Sequence, residues 1–148
     1  LVDLRQTPIV RMTARGIEEL EADFIVIATG SRPRVPEFAP VDGERVLTTR
    51  QAYPPPELPE HMVVVGSGVT GVEFTHMFDA LGSKVTLLVS RQQVLPLKDP
   101  EVAAALEDEF MRPGVMLLTG ARASGIEGTG DAVRVACVDG PRSARALA

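Results

Sequence analysis

The hydrophobic pattern of the chain alternates between short β-type runs and two longer helical ones. Pro8 to Ala14 predicts a short strand, turned at Arg15-Gly16 and followed by the polar, acidic stretch Glu18 to Asp23. Phe24-Ile25-Val26-Ile27-Ala28 is continuously apolar and β-branched. Such a run predicts a strand buried on both faces, as in a parallel sheet. Thr29-Gly30-Ser31 closes it as a turn. Met62-Val63-Val64-Val65 is a second apolar strand, ended by the tight turn Gly66-Ser67-Gly68. A helix is expected over Val69 to Leu81, with Val69, Val72, Met77 and Ala80 on one stripe and Phe74, Phe78 and Leu81 widening it. Gly82 stands where such a helix is capped, and Val85 to Val89 is the next strand. The crossover between the two strands is right-handed by default.

Further along, Asp99 is the expected N-cap and Pro100 the first residue of a second helix. Its apolar side is Ala103, Ala104, Leu106 and Phe110, with Glu107, Asp108 and Glu109 expected to face water. Arg112-Pro113-Gly114 stops it, and Val115 to Leu118 predicts a third parallel strand. The remainder, with a turn at Thr129-Gly130-Asp131 before Val133 to Val138, reads as a β-meander. Between the two halves lie seven of the 12 prolines, from Pro33 to Pro59. Each proline fixes φ and removes a donor, so this stretch is neither a central strand nor a long helix. It is expected as an ordered connection, with Val46-Leu47 a short strand and Thr48 to Tyr53 one helical turn before the triple proline.

Composition narrows the function classes. The chain has 148 residues, 45% of them apolar, which suits one packed domain, or one domain plus part of another. Its net charge is −5, and all but Lys84 and Lys98 of its 15 basic residues are arginines. These form no basic stripe, so no nucleic-acid partner is expected. No apolar run approaches the roughly 20 residues a membrane helix needs. No signal peptide is evident, and Cys137, a lone cysteine, gives neither an internal disulfide nor a metal site. A cytoplasmic protein with no metal is expected. Starting at Leu1 with no natural boundary at either end, the chain reads as an excerpt of a longer one.

The sharpest signal is Gly66-Ser67-Gly68-Val69-Thr70-Gly71, a G-x-G-x-x-G that follows a strand and opens a helix, with a second strand arriving on schedule. That context is what the dinucleotide fingerprint requires. Gly66 permits the turn, Gly68 lets a pyrophosphate approach the backbone, and Gly71 lets the helix pack on the sheet. The helix N-terminus offers free N–H groups and partial positive charge. A bare glycine-rich turn with no ligand is the alternative. In an NAD site the second strand ends in Asp or Glu. Here it ends Leu88-Val89-Ser90-Arg91-Gln92 with no acid before Asp99, so Ser90 and Arg91 stand where a 2′-phosphate would be met and NADP(H) is favoured over NAD(H). Arg91 as a plain solvated charge is the competing reading. Glu73, expected in the first helical turn, is either stabilised by the helix dipole or placed near the nicotinamide.

Phe24 to Arg32-Pro33, taken with Val63 to Phe74, resembles the flavoprotein pyridine nucleotide-disulfide oxidoreductase family, which includes dihydrolipoamide dehydrogenases, glutathione reductases and soluble transhydrogenases. In that family an Ala-Thr-Gly strand end, here Ala28-Thr29-Gly30, closes part of an FAD domain. A G-x-G-x-x-G-x-E then opens the NAD(P) domain. Ser83 to Pro96 also resembles the NAD(P)H:quinone reductase branch. The resemblance implies an α/β fold: a Rossmann-like NAD(P)-binding domain with a parallel sheet and β-meander, preceded by a remnant of an FAD-binding domain. The expected boundaries are 1–40 for the remnant, 41–56 for the Pro-rich connection and 57–148 for the incomplete NAD(P) domain.

The resemblance further implies that Thr29 and Gly30 lie against FAD, that Gly66 to Gly71 hold the pyrophosphate, and that Glu73 lies near the nicotinamide. The whole protein would pass a hydride from NAD(P)H to FAD and on to a small-molecule or protein acceptor, acting as a homodimer. No catalytic residue is expected within the chain, and His61 and His76 match no catalytic position. A non-catalytic nucleotide-binding module is the alternative. A short-chain dehydrogenase fits badly, because the glycine spacing differs and there is no Tyr-x-x-x-Lys.

Overall fold

The computed structural model describes residues 9–20, 24–55, 57–138 and 146–147. Pro8, residues 21–23 and Pro56, which entered the expectations above, lie outside them. The chain divides into two compact units, Leu1–Arg32 and Pro33–Ala148.

In the first unit, β1 (Ile9–Thr13) pairs antiparallel with β2 (Gly16–Leu20) through a two-residue loop, and Arg11 stands opposite Glu18. Their side chains form an exposed ion pair, Arg11 Nε donating to Glu18 Oε2 at 3.2 Å. An exposed pair of this kind adds at most about 1 kcal/mol. β2 was not foreseen; it takes up the start of the stretch read only as acidic. The run Phe24 to Ala28 corrects another expectation. It is no strand but unpaired backbone, with Phe24 91% and Val26 87% exposed. A strand needs a neighbour to take its N–H and C=O groups, and among the described residues none does so.

The second unit is built on a parallel sheet of order β3-β4-β5: β3 His61–Val65, β4 Lys84–Val89, β5 Met116–Thr119. Helix α1 (Val69–Ala80) joins β3 to β4, and α2 (Pro100–Met111) joins β4 to β5. Side chains alternate across a strand, so β4 serves two cores at once. Val85, Leu87 and Val89, with Met62 and Val64, pack against Phe78 of α1 and Ala103 and Phe110 of α2. Leu88, with Val63 and Leu118, packs on the opposite face against Ala121, Ile126 and Val135. That second cover is an antiparallel sheet of β6 (Arg122–Thr129), β7 (Ala132–Val138) and β8 (Ala146–Leu147). Cys137 sits half-buried in this cover, where burial raises its thiol above the ordinary value.

The caps follow the sequence. Asp99 Oδ1 accepts from the Glu101 N–H at 2.8 Å, with Pro100 at the first turn of α2. Gly82 takes φ +99 just past α1, and Ser83 N–H bonds back to Phe78 C=O. The stripe of α1 differs from expectation: Val72, Thr75 and Phe78 face the sheet, while Val69 is 56% exposed and Leu81 is also exposed. Thr75 was missed because a hydroxyl reads as polar. Its Oγ1 is buried with no partner among the described residues. On α2, Ala104 is exposed, and Glu107, expected to face water, is half-buried.

The proline-rich connection packs onto the helical face through Leu47 and buried Ala52. Thr48 to Ala52 makes the single turn expected, Ala52 N–H bonding Thr48 C=O at 3.0 Å, but Val46-Leu47 is not a strand. Instead Asp42 organises the loop, its Oδ1 accepting from the N–H groups of Glu44, Arg45 and Val46 at 2.9 Å each. Arg45 then reaches the β6–β7 turn, donating to the Gly130 carbonyl at 2.6 Å.

Those backbone donors, Glu44 first, then Val46 and Arg45, hold the Asp42 carboxyl below its usual 3.8. A depressed folded-state pKa stabilises the fold above the unfolded value, and the contribution is lost as pH falls through the folded value. Asp42→Ala is therefore expected to lower Tm at about pH 6 and to differ little from wild type near about pH 2. Thermal unfolding at the two pH values checks this.

Candidate functional site

The glycine-rich segment lies where a parallel strand meets a helix. β3 ends at Val65, and Gly66 turns out of it at φ +106, a conformation L side chains rarely adopt. Its N–H bonds Leu88 C=O on β4 at 3.1 Å, which keeps the turn beside the neighbouring strand. Ser67 is buried, and its carbonyl accepts from the Leu95 N–H at 2.8 Å. Gly68 is the N-cap of α1, with no side chain capping the helix. Its carbonyl takes the first helical bond, from Val72 N–H. The N–H groups of Val69, Thr70 and Gly71 have no acceptor among the described residues, as expected of an uncapped first turn. Such an end presents partial positive charge to an anion.

The three glycines differ in what surrounds them. A Cβ on Gly68 would meet nothing within 4 Å, so the backbone there is open to an approaching group. A Cβ on Gly71 would fall 1.9 Å from the Gly66 carbonyl oxygen. The first turn of α1 therefore rests directly on the backbone of the turn out of β3. This is the close approach expected of the third glycine.

At the end of β4, Val89 is fully buried, while Ser90 and Arg91 are exposed. Val65 pairs with Leu88 in register, so Ser90 and Arg91 project just beyond the strand pair that launches the glycine turn. The structure thus brings Gly66 to Gly71 together with Ser90 and Arg91 at the C-terminal ends of adjacent strands, where open α/β sheets take their ligands. Glu73 is exposed on α1 and is its fifth residue, one turn later than expected; the first turn carries no acid. The helix dipole acts within the first turn, which weakens the dipole reading of Glu73. Thr29 and Gly30 belong to the other unit, in exposed non-strand backbone with Gly30 at φ +74. His61 Nε2 lies 2.9 Å from Thr86 Oγ1, and His76 is exposed.

A groove of about 1080 Å³ runs from the glycine turn along β3, whose second edge is unpaired among the described residues. Phe74 and Phe78 wall it on the helical side, Val133 and Val135 on the meander side, and Leu47 and Ala52 close it from the connection. Among the described residues no cluster of His, Cys, Asp or Glu forms a metal site, and no helix is long and apolar enough to cross a membrane. Two residues that shape the loop opposite the glycine turn escaped the sequence. Leu95 and Glu107 hold the loop after β4, and Glu107 had read as one of three solvent-facing acids.

A family model described as pyridine nucleotide-disulphide oxidoreductase matches residues 3–146. An NAD(P)H dehydrogenase (quinone) of Mycobacterium tuberculosis is 47% identical over 122 residues, 82% of this chain and 25% of that protein. A dihydrolipoyl dehydrogenase of Chlamydia muridarum is 36% identical over 118 residues, covering 78% of this chain and 25% of the relative. The crystal structure of LpdA from Mycobacterium tuberculosis superposes with a TM-score of 0.75 at 42% identity, over 95% of this chain and 30% of that one. The flavoprotein disulfide reductase RclA of Escherichia coli, as its Cu(II) complex, gives 0.67 at 26% identity, over 95% and 31%. The chain thus spans about a quarter of the curated relatives' length.

Because the atom facing a Cβ on Gly71 is backbone, no side-chain rotation relieves the clash. Gly71→Ala is expected to cost about 1–3 kcal/mol, the usual range for an overpacked site. Chemical denaturation of the variant beside wild type measures it.

Proposed function

Because this chain belongs to the pyridine nucleotide-disulphide oxidoreductase family, we propose that it is the nicotinamide-nucleotide-binding segment of an FAD-dependent oxidoreductase. Residues 57–148 form the Rossmann-like NAD(P) domain, 41–56 the connection, and 1–40 the remnant of the FAD-binding domain. The whole protein, a homodimer, takes a hydride from NAD(P)H onto FAD and passes the electrons to a disulfide, a quinone or another acceptor. The chain's own part is to bind and orient the nucleotide. By itself it catalyses nothing.

One observation carries this reading. An uncapped helix N-terminus, a backbone left open at Gly68 and an exposed Ser90-Arg91 pair stand on neighbouring strand ends. The residues fit a dinucleotide. The N–H groups of Val69 and Thr70, beside Gly66, Ser67, Gly68 and Gly71, take the pyrophosphate oxygens. Buried Val89 offers no carboxylate to repel a 2′-phosphate, while Ser90 donates to one and Arg91 pairs with it, which favours NADP(H) over NAD(H). Glu73 extends from α1 toward the nicotinamide end. Thr29 and Gly30, both exposed, lie against FAD. When bound, the nicotinamide supplies the hydride and FAD accepts it.

Titration of the chain with NADPH and NADH in parallel, followed by calorimetry, tests the reading. NADPH is expected to bind more tightly, and Arg91→Glu to abolish that preference, losing about 10-fold or more for NADPH as a charged hydrogen bond turns repulsive. Preference for NADH would overturn the 2′-phosphate assignment; binding of neither would overturn the nucleotide site. Gly68→Ala has room for its methyl group in the free protein. It is expected to keep its Tm and lose nucleotide affinity, the opposite balance from Gly71→Ala.

A further inference from the structure

The loop from β4 to α2 holds a feature that the nucleotide fingerprint does not explain. Leu95 has φ +46, the one non-glycine among the described residues with a positive φ. An L side chain in that conformation is strained, and it persists only where its surroundings hold it. Two adjacent backbone donors are held. Leu95 N–H bonds the Ser67 carbonyl at 2.8 Å, within the glycine turn itself. Val94 N–H bonds Glu107 Oε1 on α2 at 2.8 Å, while the Val94 side chain is fully buried in the helical-face core. A third bond, Gly120 N–H to Arg91 C=O at 2.9 Å, fixes the start of the loop to the end of β5.

Glu107 forms no ion pair with a described Lys or Arg. It is half-buried and its carboxylate receives a backbone N–H, a charge-assisted bond stronger than a neutral one. The chain of contacts runs Glu107 to Val94, through strained Leu95, to Ser67. It links the body of α2 to the centre of the glycine turn. Ser90 and Arg91 stand at the start of the same loop; Arg91 is its β5 anchor, and the α2 anchor at Val94 follows three residues later.

We propose that Glu107 is a positioning residue for nucleotide selectivity. Its carboxylate holds Val94 and Leu95 so that the loop bearing Ser90 and Arg91 keeps a fixed offset from the glycine turn. The proposal rests on the nucleotide-binding reading above. The two phosphate sites of NADPH, the central pyrophosphate and the 2′-phosphate on the adenosine ribose, are met by the turn and by the loop respectively. Loss of the tether leaves the turn able to take pyrophosphate and leaves the Arg91 carbonyl on Gly120, but frees the segment from Gln92 to Leu95, so the Arg91 side chain loses its fixed offset from the glycine turn. NADPH affinity then falls while NADH affinity holds.

The experiment uses the chain with Glu107→Ala, Glu107→Gln and Glu107→Ala combined with Leu95→Gly. Two readouts are taken: amide hydrogen exchange at Val94 and Leu95 without nucleotide, and the ratio of Kd values for NADH and NADPH. Glu107→Ala is expected to speed exchange at both amides and to reduce the preference for NADPH about tenfold, the effect of one charge-assisted hydrogen bond. Glu107→Gln keeps an acceptor oxygen and is expected to stay within about threefold of wild type, since a neutral acceptor weakens the bond without removing it. Glycine at 95 adopts the left-handed conformation without strain, so the double variant is expected to recover part of the preference. A merely structural role would lower Tm and leave the ratio unchanged. Unchanged exchange in Glu107→Ala, or an unchanged ratio, overturns the proposal and leaves nucleotide binding standing. A wild-type chain that binds neither nucleotide overturns both.

Discussion

The contact of Gly71 with the Gly66 carbonyl sets the geometry on which the second unit depends. A helix can start this close to the strand that feeds it only if its third residue lacks a Cβ, for a methyl group there would sit 1.9 Å from oxygen. The close start places Val72, Thr75 and Phe78 against the sheet, and α1 runs on to Ala80 with Gly82 just past its end. β4 then enters beside β3 with Val65 opposite Leu88, and Leu88 C=O in turn holds the Gly66 N–H. The N–H groups of that first turn are left without acceptors among the described residues, beside a Gly68 where an added Cβ would meet nothing within 4 Å. Close packing and an uncapped helix start beside the turn are thus two results of one absent side chain.

The sheet gains stability by being covered differently on its two faces. Helices α1 and α2 cover one side and the β6–β7–β8 meander the other, so β4 is buried from Val85 to Val89 without interruption. A strand buried on both faces loses the alternation of a surface strand and reads as a plain apolar run. The connection from Pro33 onward joins this unit as well. Ala52 and Leu47 extend the helical-face core, and Arg45 ties the loop to the meander at Gly130. Its prolines limit what it can adopt, while its few apolar side chains decide where it sits.

Much of this second unit was legible in the sequence. The strand–turn–helix at Met62 to Leu81, the Asp99-Pro100 start of α2 and the strands at Val85 and Val115 lie within a residue or so of the observed elements, because each is marked by local chemistry: glycine where φ is positive, a side-chain cap, a proline at the first turn. What depended on distant partners was not legible. Phe24 to Ala28 has the composition of a buried strand, yet composition supplies no neighbour. Gly16 to Leu20 forms a strand with no apolar alternation, since neither of its faces is buried. Val69 fits a helical stripe by spacing but lies at the exposed helix start. Glu107 looks like its acidic neighbours Asp108 and Glu109, and only the path of the loop from β4 brings Val94 to it.

In the candidate site, Gly66 and Gly71 could be placed from sequence because each answers to a steric demand, whereas the loop opposite them is held by backbone bonds that no residue type announces. Cradle and loop together make the candidate site: an uncapped helix end, and an exposed arginine one strand away. The decisive observation is a two-dimensional amide NMR titration of the chain with 2′-phospho-ADP-ribose, which carries both phosphate groups and no nicotinamide. Shifts concentrated at Gly68, Val69, Thr70 and Arg91, saturating with a single Kd, are the predicted result. Shifts confined to the groove around Leu47 and Ala52, or none at all, would contradict it.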